Sequence, residues 1–86
     1  MKSTRLFHYV IKTSKEDSSF LYFTLEANDN LCFYSTLDYP VGSETREIDI
    51  KGELSSQADF LSVMLHLKHK IKFEILLEEE IDDLTD

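Results

Sequence analysis

The sequence predicts an α+β domain with ferredoxin-like βαββαβ order, in which a four-stranded antiparallel sheet carries two helices on one face. Three observations lead there. Segments of period-two hydrophobicity open and close the chain, a regular helical stripe precedes the last of them, and a hairpin lies between. At 86 residues the chain has the size of one domain. It is expected to divide into a globular part, residues 1–77, and an acidic C-terminal tail, residues 78–86.

Leu6 to Lys12 alternates two rows, Phe7, Tyr9, Ile11 and Leu6, His8, Val10. Both are largely apolar, as suits a central strand. Thr13-Ser14-Lys15-Glu16 then has the form of a capping box, with the Thr13 hydroxyl taking an orphan amide and Glu16 reaching back to the cap amide. Phe20, Phe23, Thr24, Ala27 and Leu31 follow at helical spacing, Leu21 and Leu25 widen the stripe, and Asn28-Asp29-Asn30 can take the left-handed conformation that ends a helix. The stretch also alternates Leu21, Phe23, Leu25 with Phe20, Tyr22, Thr24, so a hairpin competes with the helix. The capping signal and the segment length favour the helix.

Leu31 to Leu37 reads as a second strand with Leu31, Phe33 and Leu37 inward, and Asp38 to Ser43 carries turn chemistry. Glu44 to Ile50 reads as a third strand, with Ile48 and Ile50 inward and Thr45, Glu47, Asp49 and Lys51 outward. The polar outward row implies a sheet with one face open to water or to a partner. Ser55 and Ser56 offer caps for a helix in which Phe60, Val63, Met64, Leu67 and Ile71 share one stripe. Ile71, Phe73, Ile75 and Leu77 then switch to period two and make the closing strand. Right-handed crossovers put strands one and three in the middle of the sheet.

The formal charge of -8 is concentrated at the C-terminus, where Glu78, Glu79, Glu80, Asp82, Asp83 and Asp86 leave only -2 for residues 1–77. Without clustered Lys and Arg to neutralise phosphates, neither nucleic acid nor an anionic membrane is expected as a partner. The single Cys32 leaves no internal disulfide and no cysteine-based zinc site. The N-terminal apolar run is too short and too polar for a signal h-region or a spanning helix, so a cytoplasmic, bacterial-type setting is expected.

Glu16-Asp17, Phe23, Leu25-Glu26-Ala27, Leu31 and Ser35-Thr36-Leu37-Asp38 together resemble the small bacterial family known as domain of unknown function 4911. The matching residues span about a quarter of the chain. The resemblance implies a ferredoxin-like, regulatory-domain-like βαββαβ fold and favours the helix for residues 14–27. It brings no biochemical function with it.

The fold class hosts many chemistries, and several are excluded by residue type. Base stacking on central strands has no aromatic in the third strand, and the loop after strand one has neither two cysteines for a metal nor a glycine and arginine to cradle phosphate. His66 and His69 could present two imidazoles to a metal, but Asp59 and Glu53 are not spaced to complete the set, and the pair reads instead as complementing the helix dipole beside Lys68 and Lys70. Cys32 reads as a packing thiol. His8, Cys32, Tyr34, Glu47, Asp49 and Glu74 are assigned to the open sheet face, which reads as an association surface with no nucleophile and positioned base.

No catalytic residue, cofactor or metal site is expected, and the chain is read as a non-enzymatic interaction or regulatory module. Its interface residues would be Leu6, His8, Val10, Tyr34 and Leu76, pairing sheet to sheet as a homodimer or docking another protein. A different reading is a sensor of a small amino-acid-like metabolite, similar to amino-acid-binding regulatory domains, with Ser14, Lys15, Glu16 and Asp17 facing the ligand. The same four residues are also explained by helix capping. The tail places Leu77, Ile81 and Leu84 at i, i+4, i+7, the spacing of a short amphipathic helix on a partner groove, but is expected to be a solvating segment whose removal leaves the fold intact.

Overall fold

In the computed structural model, which describes residues 2–28 and 31–85, the elements run β1 (Lys2–Ser14), α1 (Lys15–Ala27), β2 (Phe33–Thr36), β3 (Thr45–Glu53), a 3-10 turn (Leu54–Ser56), α2 (Gln57–Leu67) and β4 (Phe73–Thr85). The strands form one antiparallel sheet in the order β2-β3-β1-β4. This is the ferredoxin-like arrangement, with β1 and β3 central as the crossover rule requires.

The alternation of β1 and β3 decides where the core sits. Phe7, Tyr9 and Ile11 of β1 and Ile48 and Ile50 of β3 face the helices, which return Leu21 and Leu25 from α1 and Phe60, Met64 and Leu67 from α2. Phe7 stacks on Phe60 with ring centroids 4.7 Å apart, and Tyr9 tilts over the same ring at 5.1 Å. Such pairs add about 0.5–1.5 kcal/mol beyond the area they bury. Gly52 is required beneath this cluster, since a Cβ there would run into the Phe7 ring and approach the Leu31 carbonyl oxygen at 3.0 Å.

The start of α1 is one residue later than the capping box implies. Thr13 stays in β1, where it is buried and its hydroxyl donates to the Lys72 carbonyl at 2.8 Å. Ser14 is the N-cap instead, its Oγ accepting from the Asp17 amide at 3.0 Å. The stripe shifts as well: Ser18, Leu21 and Leu25 are buried, while Phe20 and Phe23 are exposed. Ser18 folds its hydroxyl back on the Lys15 carbonyl and is small enough to let the helix approach the sheet. Asn28 ends α1 at φ -106, outside the left-handed region, and Asp29 and Asn30 lie outside the described residues.

Leu31, just ahead of β2, is buried in the core as expected, but Leu37 is exposed and within β2 the expected inward parity is inverted. Tyr34 is registered with Ile50 and Thr36 with Ile48, so they lie on the helix side, whereas Phe33 is registered with Lys51 on the open side. The Tyr34 ring stacks on Tyr22 of α1 at 5.1 Å and its hydroxyl donates to the Glu26 carboxylate. This contact with α1 fixes the parity, and a change of one residue moves every side chain of a strand to the other face. The β2–β3 connection turns at Pro40–Ser43, where the Ser43 amide donates to the Pro40 carbonyl at 3.1 Å and Gly42 takes φ +85, the third-position geometry of a type II turn. α2 enters through the 3-10 turn, and neither Ser55 nor Ser56 caps it with a side-chain bond.

The expected break at Leu77 is absent. β4 continues to Thr85, and its pairing with β1 runs from Thr13↔Phe73 to Lys2↔Thr85. A bulge opposite Val10 and Ile11 leaves Leu76 as the extra residue. Beyond it the parity flips, so Leu77 faces Val10 and Ile81 faces Leu6. The carboxylates are accommodated because β4 is an edge strand with water beside it, and because Arg5 meets Glu80 at 2.9 Å and Asp82 at 3.3 Å. Residues 78–85 therefore belong to the sheet and are neither a solvating tail nor a helix.

Candidate functional site: the open sheet face

The helices cover one face of the sheet, and the register lays out the other row by row. Glu53, Leu6 and Ile81 form one row, then Phe33, Lys51, His8 and Glu79, then Ser35, Asp49, Val10 and Leu77, then Glu47, Lys12 and Glu74. Apolar and charged groups alternate across it. Phe33 is 73% exposed and Leu77 is 38% exposed, while Leu6 and Val10 are screened by their neighbours.

His8 is the centre of the polar part. Its position in a central strand places it between β3 and β4, where Nε2 lies 2.5 Å from Asp49 and Nδ1 lies 2.6 Å from Glu79. Lys51 Nζ approaches the other Asp49 oxygen at 3.6 Å. Burial opposes charging of the imidazole, but hydrogen bonds and attraction to Asp49 and Glu79 outweigh it and hold the His8 pKa above its ordinary 6.5. With both ring nitrogens facing carboxylates, the geometry suits the imidazolium form, in which both donate. That ties β3, β1 and β4 together across the face. It is an arrangement for holding charge in place, and among the described residues no hydroxyl or thiol is bonded to the imidazole to be activated.

Of the five residues expected at this interface, Leu6, His8 and Val10 lie on the open face. Tyr34 does not, because it packs under α1, and Cys32, assigned to the same face, packs against the core, where burial pushes its thiol up to about 11. Leu76 is the exposed bulge residue, and it is Leu77 that stands opposite Val10. Glu47, Asp49 and Glu74 lie where expected. Phe33, Glu79 and Ile81 were missed: Phe33 because strand parity in β2 is ambiguous, the other two because their segment reads as a tail.

Ser14, Lys15, Glu16 and Asp17 gather at the start of α1. Ser14 and Asp17 line a cleft of about 470 Å³ together with Lys12, Thr45, Lys72 and Phe73, while Lys15 and Glu16 are exposed and outside it. Ser14 Oγ is engaged by the Asp17 amide, and the Lys15 amide donates to the Glu44 carbonyl at 2.8 Å. Next to this cleft is a shallower one, lined by Asp17, Lys68, His69, Lys70, Ile71 and Lys72. His69 thus sits among lysines. Among the described residues no three His, Cys, Asp or Glu side chains are grouped to hold a metal ion, and no helix is long and apolar enough to cross a membrane.

No family model and no curated protein matches this sequence. Solved structures do match in fold. CPII, a nitrogen regulatory PII-like protein from Thiomonas intermedia K12 bound to ADP, AMP and bicarbonate, superposes with a TM-score of 0.73 at 11% identity, over 99% of both chains. The same protein bound to ADP, AMP and acetate gives 0.62 at 12% identity, over 99% of this chain and 94% of that one. A PII-like signalling protein from Thermus thermophilus gives 0.63 at 11% identity, over 98% and 94%. At these identities the likeness is one of fold.

Proposed function

We propose that this chain is a non-enzymatic regulatory module that associates through its open sheet face, sheet to sheet with a second copy. The observation that carries the reading is the pattern of that face: Leu77 stands uncovered beside Val10, Phe33 stands uncovered at the β2 edge, and between them lies a charge cluster at His8 that is already neutralised internally. A solvated face would need none of the apolar groups, and a catalytic one would need a reactive group beside the imidazole. The signalling neighbours support a regulatory role by fold analogy. Light scattering tests it: the wild type has a mass above that of one chain at micromolar concentration, and Phe33→Glu lowers it without altering the circular dichroism spectrum. A wild type of single-chain mass at every concentration would end the proposal.

A second reading is favoured by one observation, the two neighbouring clefts around Lys12, Ser14, Asp17, Lys70 and Lys72, which share Asp17 and Lys72 in their linings. They bring cations and the α1 cap to one end of the molecule, where a small anionic metabolite could be sensed, and CPII was solved with ADP, AMP and bicarbonate bound. Glu74 and Asp17 in the same lining would select against high negative charge. A thermal-shift series with ADP, AMP, bicarbonate and free amino acids decides it. A rise in melting temperature with one of them, lost in Lys72→Ala, supports sensing, and no rise at millimolar ligand removes it.

A further inference from the structure

We propose that β4 beyond its bulge, residues 78–82, is a proton-controlled latch that opens away from β1 as a local unit when His8 is neutral, while residues 73–75 stay in the sheet. The bulge divides β4 into halves held by different forces. Before it, Thr13 donates to the Lys72 carbonyl at 2.8 Å, Ile71 is buried and Phe73 packs against the core. After it come Glu78, Glu79, Glu80 and Asp82, with Ile81 as the one apolar residue of the segment. That half lies at the sheet edge with β1 as its neighbour, and the ladder is interrupted between the two halves. A segment with so few buried apolar contacts opens at a lower cost than global unfolding.

Charge closes the latch. Arg5 holds Glu80 at 2.9 Å and Asp82 at 3.3 Å, the Tyr9 hydroxyl donates to Glu78 at 3.1 Å, and His8 Nδ1 lies 2.6 Å from Glu79. Of the two cations, Arg5 keeps its charge at any working pH and His8 does not. The groups around His8 decide which side yields when its proton leaves. β3 brings Asp49 and Lys51, β4 brings Glu79, and β1 itself brings Lys12, which lies between Glu47 and Glu74; Glu53 stands in the row beyond, beside Leu6. β2 contributes only the uncharged Phe33 and Ser35 on this face, and the helices lie on the other. Asp49 retains Lys51, whose Nζ is 3.6 Å from its second oxygen. Glu79 has no other cation in ion-pair range among the described residues. Loss of the proton therefore strands the carboxylate on β4 and spares the one on β3.

Opening and proton loss promote each other. In the open state His8 keeps Asp49 and loses Glu79, so it binds its proton less tightly than in the closed state, and closure is favoured while the proton is bound. Opening also takes Ile81 from over Leu6 and frees the side of β1 that β4 pairs. One proton thus changes the surface that the open face presents.

Hydrogen exchange followed by NMR on the full chain tests the latch, each rate being expressed as a protection factor so that the intrinsic effect of pH on exchange is removed. Between about pH 6 and about pH 8, protection of the β1-bonded amides in residues 78–82 falls by about three- to tenfold. Low urea leaves their exchange unchanged, because local opening exposes little surface, whereas it speeds exchange in β3 and in residues 73–75. His8→Gln makes protection beyond the bulge independent of pH, although His66 and His69 still titrate in that variant. Glu79→Gln does the same with His8 in place, and it reads the contact from the moving strand if His8→Gln fails to fold. The proposal is overturned if wild-type protection beyond the bulge does not change with pH, if those amides share the urea dependence of β3, or if the fall survives either substitution. Residues 78–82 that exchange without protection at about pH 6, where the latch is closed, also overturn it.

Discussion

The two sides of β1 are built from one strand with opposite outcomes. On the helix side, Phe7, Tyr9 and Ile11 are almost wholly removed from water, and Phe7 and Tyr9 pack on Phe60. On the open side, Leu6, His8 and Val10 alternate in the same strand, but their cover is a mixture of Asp49, Glu79, Leu77 and Ile81. The first face holds the fold together through area and close packing. The second holds three strands in register by paired charge and leaves Phe33 and Leu77 exposed. Stability and the proposed association would thus be separable, residue by residue, in a chain of this size.

The largest expected effect breaks the first face. Phe60→Ala removes the ring on which Phe7 and Tyr9 both pack and should cost about 3–5 kcal/mol in denaturant unfolding, while Phe33→Ala on the open side should stay within about 0.5 kcal/mol. Equal costs would mean that the two sides are not distinct. Next in size is truncation after Leu77. It removes Ile81 from over Leu6 and Glu79 from His8 and uncovers the N-terminal half of β1, so the midpoint should fall by more than about 1 kcal/mol in stability. An unchanged midpoint would return residues 78–85 to the status of a tail.

The smallest effect concerns pH. The His8 pKa in the folded protein is raised above 6.5, so its pairing with Asp49 and Glu79 stabilises fully below about 6.5 and is lost as pH rises through the folded value. His8→Gln should abolish that part of the decline in melting temperature as pH rises above about 6.5 and leave the decline from other groups. Facing His8 are Asp49 and Lys51 from β3 and Glu79 from β4, so Glu79→Gln should lower the His8 pKa measured by NMR titration. A His8 titration unmoved by that substitution would remove Glu79 from the account.

The element order, the central position of β1 and β3, and the core of β1, β3 and α2 were legible because Phe60, Val63, Met64, Leu67 and Ile71 fall in one helical stripe and Ile48 and Ile50 alternate with a polar row. The phase of α1 and the parity of β2 were not, because Phe20, Phe23 and Phe33 compete with Leu21, Leu25 and Tyr34 on equal hydrophobic terms. What decides between them is a tertiary contact, the Tyr22–Tyr34 stack, together with the small Ser18 under the helix. The extent of β4 was hidden by the bulge at Leu76, which interrupts period two just where the acidic run begins. That single insertion also concealed Glu79 as a partner of His8.

The central claim, that the open face is where a second copy sits, is tested most directly by following side-chain NMR resonances on dilution. The account predicts that Phe33 and Val10 shift together as concentration falls, with a common midpoint, while Leu21 and Leu25 beneath α1 stay fixed. Phe33 and Val10 resonances that hold constant from millimolar to micromolar concentration would contradict it.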